Sequence, residues 1–530
     1  MIYNISFGRS LHRGKSVSCC QRRHKDDNWL SNRFDFYRLL VSETAFSLPK
    51  GLPKLPPGPR KLPLIGNLHQ LLGSPPHRAL RDLAKKHGPL MHLQLGEVPH
   101  VIVSSAEMAK EVMKTHDLTF ATRPPLLASE VMSYGSTDIA FAPYGEYWRQ
   151  LRKICTLELF SVKRVQSFRH IREEETSNLV KWVASNAGSP INLTQKLFST
   201  NYGATSIAAF GKKFKEQEEF ISVVTEANKL AAGFEVGDVF PSSKWLHVIS
   251  RMKPRLEKLH RQADHMMNNI IRERREERAK RRDDETRHDD LIDVLLRFAD
   301  PGGPEFSLTA DNIKAVILDI FVAGGETSAT QVDWALAEMM KNPRILKKAQ
   351  AEVREVFDRR GKADEMGLPE LEYLKLVIKE SLRMRPSVPL LLPRECGERC
   401  EINGYEIPVK TKVVVNAWAI GRDPKYWDNP EVFYPERFKD SPVDYKGTSF
   451  EYIPFGAGRR MCPGMNFGIV NVELPLAMLL YHFDWELPEG MKREELDMSE
   501  LLGATQRRKR DMYLVPKPYQ PTFTGSDLPL

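Results

Sequence analysis

Cys462 sits in Pro454-Phe455-Gly456-Ala457-Gly458-Arg459-Arg460-Met461-Cys462-Pro463-Gly464, just ahead of an apolar run from Met465 to Phe483. A lone cysteine between glycines and beside two arginines suits a thiolate metal ligand better than a core thiol. The glycines let backbone pass close to something flat and bulky, and the N–H groups opening the next helix stabilise negative sulfur. A second group is Ala323-Gly324-Gly325-Glu326-Thr327-Ser328. Two glycines inside a helix cost about 1 kcal/mol each relative to alanine, so close packing or a functional opening must compensate. A carboxyl followed by a hydroxyl at such a place can relay protons. Glu380 and Arg383 stand three residues apart on a helical pattern, so their side chains can meet; alone, such a pair is worth well under ~1 kcal/mol. Trp148 and Arg152, four apart, share one helix face, and the planar fork of an arginine suits a carboxylate.

Long helices have to position these groups. The Gly-Gly-Glu-Thr stretch lies inside a helical pattern over Asp311–Lys341, and further patterns cover Ile171–Ser185, Leu256–Arg278 and Ile345–Asp358. Short β-rich runs occur at Leu90–Leu95 with Val101–Val103, and at Lys412–Val415. The expected fold is mainly α, one large helical domain over residues 62–520 with small β-sheets. Ahead of it, residues 51–61 form a proline-rich hinge, Leu55-Pro56-Pro57-Gly58-Pro59-Arg60 at its centre, which cannot join a helix or sheet interior. Residues 1–50 are basic, carry Cys19-Cys20, and contain no apolar run near the ~20 residues of a membrane-spanning helix. They read as a disordered segment without an anchor, a transit peptide or an atypical gene start. Residues 521–530 form a C-terminal tail.

Composition excludes several classes. With 530 residues, 41% hydrophobic and 28% charged, the chain is long enough for a large core and ordinary for a globular body. Its net charge of +9 is spread along the chain, with no aromatic-interleaved basic motif, so nucleic acid is not an expected partner. Six cysteines are too few for a disulfide scaffold. Cys396 and Cys400 lack a second Cys/His pair at zinc spacing and read as structural. The mixed-sign run Arg272–Asp290 reads as a solvated helix end and loop.

The Cys462 string resembles the cysteinate haem-binding signature of cytochromes P-450, F-x-x-G-x-R-x-C-x-G, with Phe455, Gly458, Arg460, Cys462 and Gly464 in place. Ala323 to Ser328 is similar to the family's oxygen-activation motif [A/G]-G-x-[D/E]-T-[T/S]. Glu380 with Arg383 matches E-x-x-R, Pro435-Glu436-Arg437-Phe438 matches P-E-R-F, and Trp148 with Arg152 matches W-x-x-x-R. The resemblance covers about residues 51–520. It implies haem b (iron protoporphyrin IX) held between a long central helix and the Cys-loop helix, with Cys462 as axial iron ligand. It further implies propionates met by Trp148, Arg152, Arg460 and Arg394. Phe455 and Gly464 would shape the cysteine loop, and Glu380, Arg383 and Arg437 would form a buried structural network. Thr327 would donate toward bound dioxygen in a locally weakened helix, and Glu326 would pass protons inward. The Leu126–Ala140 loop, Ala323, Thr327, Val388 and Ala504 would face a lipophilic substrate.

The function expected on this resemblance is haem-thiolate monooxygenation of a lipophilic small molecule, with plant terpenoids and related specialised metabolites favoured. Electrons would come from NADPH through a cytochrome P-450 reductase, because no G-x-G-x-x-G fingerprint opens a strand–helix unit. Arg149 and Lys153, on another face of the Trp148 helix, are candidates to dock that acidic partner. A haem-thiolate isomerase or dehydratase working without reductase is the alternative class; such enzymes can dispense with the threonine that Thr327 supplies. A non-enzymatic haem-binding protein would leave the proton relay without purpose. The expected place is the cytosolic face of the endoplasmic reticulum membrane, as a monomer, with Leu230–Val239 as an apolar stretch for the bilayer. Plastids are the alternative if residues 1–50 are a transit peptide.

Overall fold

Helices carry most of the chain. The computed structural model describes residues 54–231, 236–243, 246, 249–280, 290–299, 306–501 and 503–520. The expectations for residues 1–50, the start of the hinge, Cys19-Cys20, residues 232–235, the charge run over 281–289 and the tail 521–530 lie outside the described residues. The helices that build the site are α1 (Glu146–Ile154), α2 (Arg169–Ser185), α3 (Leu193–Phe210), α4 (Gln217–Lys229), α5 (Met252–Lys280), α6 (Ala310–Lys341), α7 (Pro343–Arg360), α8 (Glu372–Met384) and α9 (Met465–His482). The 3.6-residue patterns expected from the sequence fall inside α2, α5, α6 and α7; α2 and α6 end where expected, at Ser185 and Lys341, and the other ends lie one to four residues further out.

Helix α6 is the axis. Thr309 and Asn312 close a capping box at its start, satisfying N–H groups that have no helical partner. Asn342 and Pro343 end it, since proline cannot continue the ladder and opens α7 instead. Its two halves belong to two different cores. Ile313, Val316, Ile317, Ile320 and Phe321 pack with α3, α4 and α5. Val332, Leu336, Met339 and Met340 pack with α2, α7, α8 and α9. Each such side chain removed from water contributes roughly 1.5–3 kcal/mol. Glu326 and Thr327 therefore sit where one core hands over to the other.

The main sheet runs in the order β1-β2-β4-β3: β1 (Leu90–Leu95), β2 (Val98–Val103), β3 (Arg394–Glu395) and β4 (Lys412–Val415). β2 is antiparallel to β1 and parallel to β4, and Arg394 on β3 pairs with Val413. A smaller sheet joins Ile191–Asn192, Tyr513–Pro518 and Phe483–Glu486.

The proline-rich stretch expected as a hinge is, in its described part, fastened to the body. His92 N–H donates to the Pro57 carbonyl at 2.9 Å. A Cβ on Gly58 would lie 2.0 Å from the His92 carbonyl oxygen, so only glycine allows this approach. The Asn67 side chain donates to the Pro59 and Arg60 carbonyls at 3.3 and 3.1 Å. Residues from Leu55 onward accordingly cluster with the body in one compact unit. Among the described residues, no helix is long and apolar enough to cross a membrane.

Candidate active site

The cysteine loop is closed by one backbone bond, Cys462 N–H to the Phe455 carbonyl at 3.0 Å. Gly456 and Gly458 have φ of 71° and 69°, the left-handed region. A Cβ on Gly458 would stand 2.2 Å from the Met113 carbonyl oxygen, so this glycine answers to the protein's own backbone. Gly464 differs: a Cβ there would find only the Phe160 ring at 3.6 Å, an ordinary contact. The Phe455 ring is half-buried against Tyr445, centroids 5.5 Å apart. Burial pushes the Cys462 thiol above its ordinary pKa, while the Gly464 N–H and the Arg152 charge pull it back. Yet the Cys462 side chain is accessible. A sulfur both deep among protein atoms and accessible must face an internal space.

Helix α6 presents the other wall. Ala323 is exposed although the helix around it is buried, and Thr327, one turn on, is half-buried on the same face. The charge of Asp319, one turn before Ala323, reaches the Cys462 sulfur. Ser328 Oγ donates to the Gly468 carbonyl at 3.5 Å, which packs α6 on the start of α9 just downstream of the cysteine loop.

The expected weakening of the helix at Gly324-Gly325 is absent: α6 continues through both. The glycines serve packing against α3. A Cβ on Gly325 would fall 2.3 Å from the Tyr202 ring, and one on Gly324 would fall 3.2 Å from Thr205 Cγ2. The Thr327 hydroxyl donates to the Ala323 carbonyl at 2.6 Å, the i−4 bond available to a helical threonine. Glu326 is 2% exposed and turned away from that face. Its carboxylate accepts from Thr505 Oγ at 2.5 Å and from the Tyr202 hydroxyl at 3.3 Å. Arg507 lies 4.0 Å from it.

Four guanidinium groups converge at the edge of this space. Arg460 donates to the Ala121 and Ala142 carbonyls, both at 2.6 Å, stacks 4.0 Å over the Trp148 ring, and keeps one buried nitrogen without a partner. Arg394 donates to the Ala457 carbonyl at 3.0 Å and lies 3.4 Å from Asp117. Arg152 has no hydrogen bond or ion pair to any described residue. The fourth, Arg123, donates to the carbonyls of Ala140, Leu392 and Pro393 at 2.7–2.9 Å. Sequence reading missed it, since Arg123-Pro124 carries no pattern by itself. The indole N–H of Trp148, expected at a propionate, donates to the Ile139 carbonyl at 3.0 Å. Trp148 therefore bears on the site through Arg460.

Burial, then each other's charge, pushes Arg123 far down, and burial with Arg394 and Arg152 pushes Arg460 to about 9. Guanidinium keeps its proton in proteins, so the cost appears as repulsion that an anion would relieve. Among the carboxyls, Asp117 pairs with Arg394 at 3.4 Å, while the others nearby compensate only weakly. Burial drives Asp138 and Asp319 up in pKa, and Asp319 accepts from the Ala140 N–H at 3.0 Å.

The loop after α8 and the turn at 503–507 complete the wall above Thr327. Ser387 Oγ donates to the Thr327 carbonyl at 3.0 Å, and Gln506 N–H donates to the Ser387 carbonyl at 2.8 Å. Val388 and Ala504 are both half-buried; Val388 follows Ser387 directly, whereas Ala504 lines a narrow cleft beside Glu326. Arg149 and Lys153 are exposed. Apart from the space, Arg383 grips Glu380 with two bonds of 2.8 Å, Arg437 adds one of 3.0 Å, and Glu380 is 0% exposed. This network ties α8 to the turn Pro435–Phe438. Cys396 is buried, and no cluster of metal-binding side chains exists among the described residues.

A flat group with a metal near its centre and two carboxylates on its edge would meet each feature. It would find an accessible sulfur on one side, a small alanine on the other, and unpaired cationic donors at the rim. Comparison with known proteins agrees. The cytochrome P-450 family model matches residues 56–515. Premnaspirodiene oxygenase of Hyoscyamus muticus is 56% identical, covering 88% of this chain and 94% of the relative. Salviol synthase of Salvia pomifera is 52% identical over 91% of this chain and 95% of its own length. A zebrafish cytochrome P-450 structure with abiraterone superposes with a TM-score of 0.71 at 26% identity, over 84% of this chain and 99% of that one. The chain belongs to the cytochrome P-450 family, monooxygenases that work with haem b and take electrons from a redox partner.

Proposed function

We propose that this chain hydroxylates a terpenoid or a closely related lipophilic plant metabolite, with electrons delivered by an NADPH–cytochrome P-450 reductase. The carrying observation is the accessible Cys462 sulfur across from accessible Ala323, in a space rimmed by Arg123, Arg152, Arg394 and Arg460. Relatives named for premnaspirodiene oxygenation and for salviol synthesis support the terpenoid class. A relative named desmethyl-deoxy-podophyllotoxin synthase, 56% identical over 87% of this chain, keeps other apolar skeletons within the class.

In this reading Cys462 would hold the haem iron, its thiolate favoured by the Gly464 N–H and Arg152. Arg152 and the free nitrogen of Arg460 would hold its carboxylates, with Arg123 and Arg394 supplying positive charge behind them. Haem b bound there supplies dioxygen activation and transfer of one oxygen atom to a C–H bond. Thr327 holds a proton at its hydroxyl oxygen, and Glu326 supplies protons from the far side of α6. Ala323 and Val388 confine an apolar substrate, with Phe455 and Gly464 shaping the cysteine loop. Exposed Arg149 and Lys153 receive the acidic reductase by long-range attraction. We place the protein at the cytosolic face of the endoplasmic reticulum, acting as a monomer.

The test is the spectrum of the reduced, CO-bound protein. A strongly red-shifted Soret band is expected, lost in Cys462→Ser; an unshifted band in the parent sinks the thiolate assignment. With reductase and labelled dioxygen, premnaspirodiene and related hydrocarbons should acquire one labelled oxygen, and Thr327→Ala should divert reducing equivalents from product to peroxide.

A further inference from the structure

The far side of Glu326 opens on a feature that the monooxygenase assignment leaves unused. Glu326, Thr505, Ala504, Gly503, Leu501, Arg507, Asn228 and Lys229 line a narrow cleft between the end of α4 and the turn after Glu500. Its free volume of about 10 Å³ is room for about one water, and its walls offer several polar partners for it.

Three described side chains reach the Glu326 carboxylate, and they differ in what they can pass on. Tyr202 donates from 3.3 Å, but it is 1% exposed, with its ring jammed against Gly325. Arg507, 4.0 Å away and stacked 3.8 Å over the Phe198 ring, is held as a fixed charge, and a guanidinium does not give up its proton. Thr505 alone combines a 2.5 Å bond to Glu326, a place in the cleft wall and an exchangeable hydroxyl proton. Asn228 donates to the same hydroxyl at 3.5 Å from the mouth side.

We propose that Thr505 is the positioning residue through which solvent protons reach Glu326. One proton arrives on Thr505 Oγ from a hydronium in the cleft as the original hydroxyl proton passes to Glu326 Oε1. The net change is one proton moved inward, with the hydroxyl restored and no electrons transferred. Arg507, 4.0 Å away, lies beside the carboxylate without exchanging a proton with it. This inference rests on the monooxygenase reading, in which Glu326 feeds the Thr327 side of α6.

The experiment uses the full chain with bound haem, reconstituted with a plant NADPH–cytochrome P-450 reductase. NADPH oxidation is followed without added substrate, in H2O and in D2O. The reduced-CO band is recorded first, because its failure in the parent would overturn the monooxygenase reading and not the cleft assignment alone. With that band intact, Thr505→Val should slow NADPH oxidation about tenfold or more and enlarge the solvent isotope effect, and Thr505→Ser should restore both. Gly503→Leu provides an independent arm that leaves the hydroxyl in place. A Cβ there meets only the Thr505 carbonyl at 3.6 Å and its nitrogen at 4.0 Å, so the longer side chain plugs the cleft and should also slow turnover. Parent-like rate and isotope effect in Thr505→Val, or no rescue by serine, would overturn the proposal. Should Thr505→Val fail to keep the band, an unaltered isotope effect in Gly503→Leu would do so.

Discussion

Arg152 separates binding from folding. The other three arginines of the cluster hold loop carbonyls, so replacing them loosens the segments around Ala121, Ala140 and Ala457 as well as the anion site. Arg152 is tied to no described residue, and its charge bears on Cys462. Arg152→Met should therefore leave the thermal midpoint of the haem-stripped chain within about 0.5 kcal/mol of the parent. The loaded protein should release haem to an acceptor about tenfold faster, the loss of one charge-assisted bond. Equal losses in both states would mark Arg152 as a structural residue.

Among the elements, the crossing of α3 and α6 decides how the site is built. Alanine at Gly325 would gain about 1 kcal/mol of helix propensity, but its Cβ would stand 2.3 Å from the Tyr202 ring. Overpacking of that kind costs about 1–3 kcal/mol, so Gly325→Ala should lower the urea midpoint. Combining it with Tyr202→Leu should cost less than the sum of the two changes, because the clash is shared. At Gly324 the nearest atom is a threonine methyl at 3.2 Å, and alanine should be tolerated better there. In the sequence, the acid and hydroxyl after the glycine pair favour a functional opening over packing. The ring of Tyr202, over a hundred residues upstream, is what distinguishes them.

For the molecule as a whole, buried carboxyls make stability depend on pH. Glu473, on α9 behind the cysteine loop, is pushed to about 7 by burial. Its folded pKa lies above the unfolded one, so the folded chain binds more protons through the window from ordinary glutamate values up to about 7. Stability from this group is thus present below that window and lost as pH rises through it. Glu473→Gln should be close to the parent in thermal midpoint near pH 5 and gain on it by pH 8, by on the order of 2–3 kcal/mol. A difference independent of pH would show that Glu473 is ionised throughout. Asp333, pushed to about 6 by burial, works in the same direction on α6.

What the sequence determined alone is what short spacing encodes. The cysteine loop, the helical periods of α2, α5, α6 and α7, and the strands at Leu90–Leu95 and Lys412–Val415 each follow from residues a few positions apart. Their rules depend only on local backbone geometry. The tertiary structure decided where the long side chains spend their donors. It turned the Trp148 N–H to Ile139, brought Arg123 beside Arg460, fastened the proline segment to His92, and set Glu326 against Thr505 across 179 residues. Those partners meet only after two cores close around α6, because buried polar groups bond to whatever packing leaves within reach.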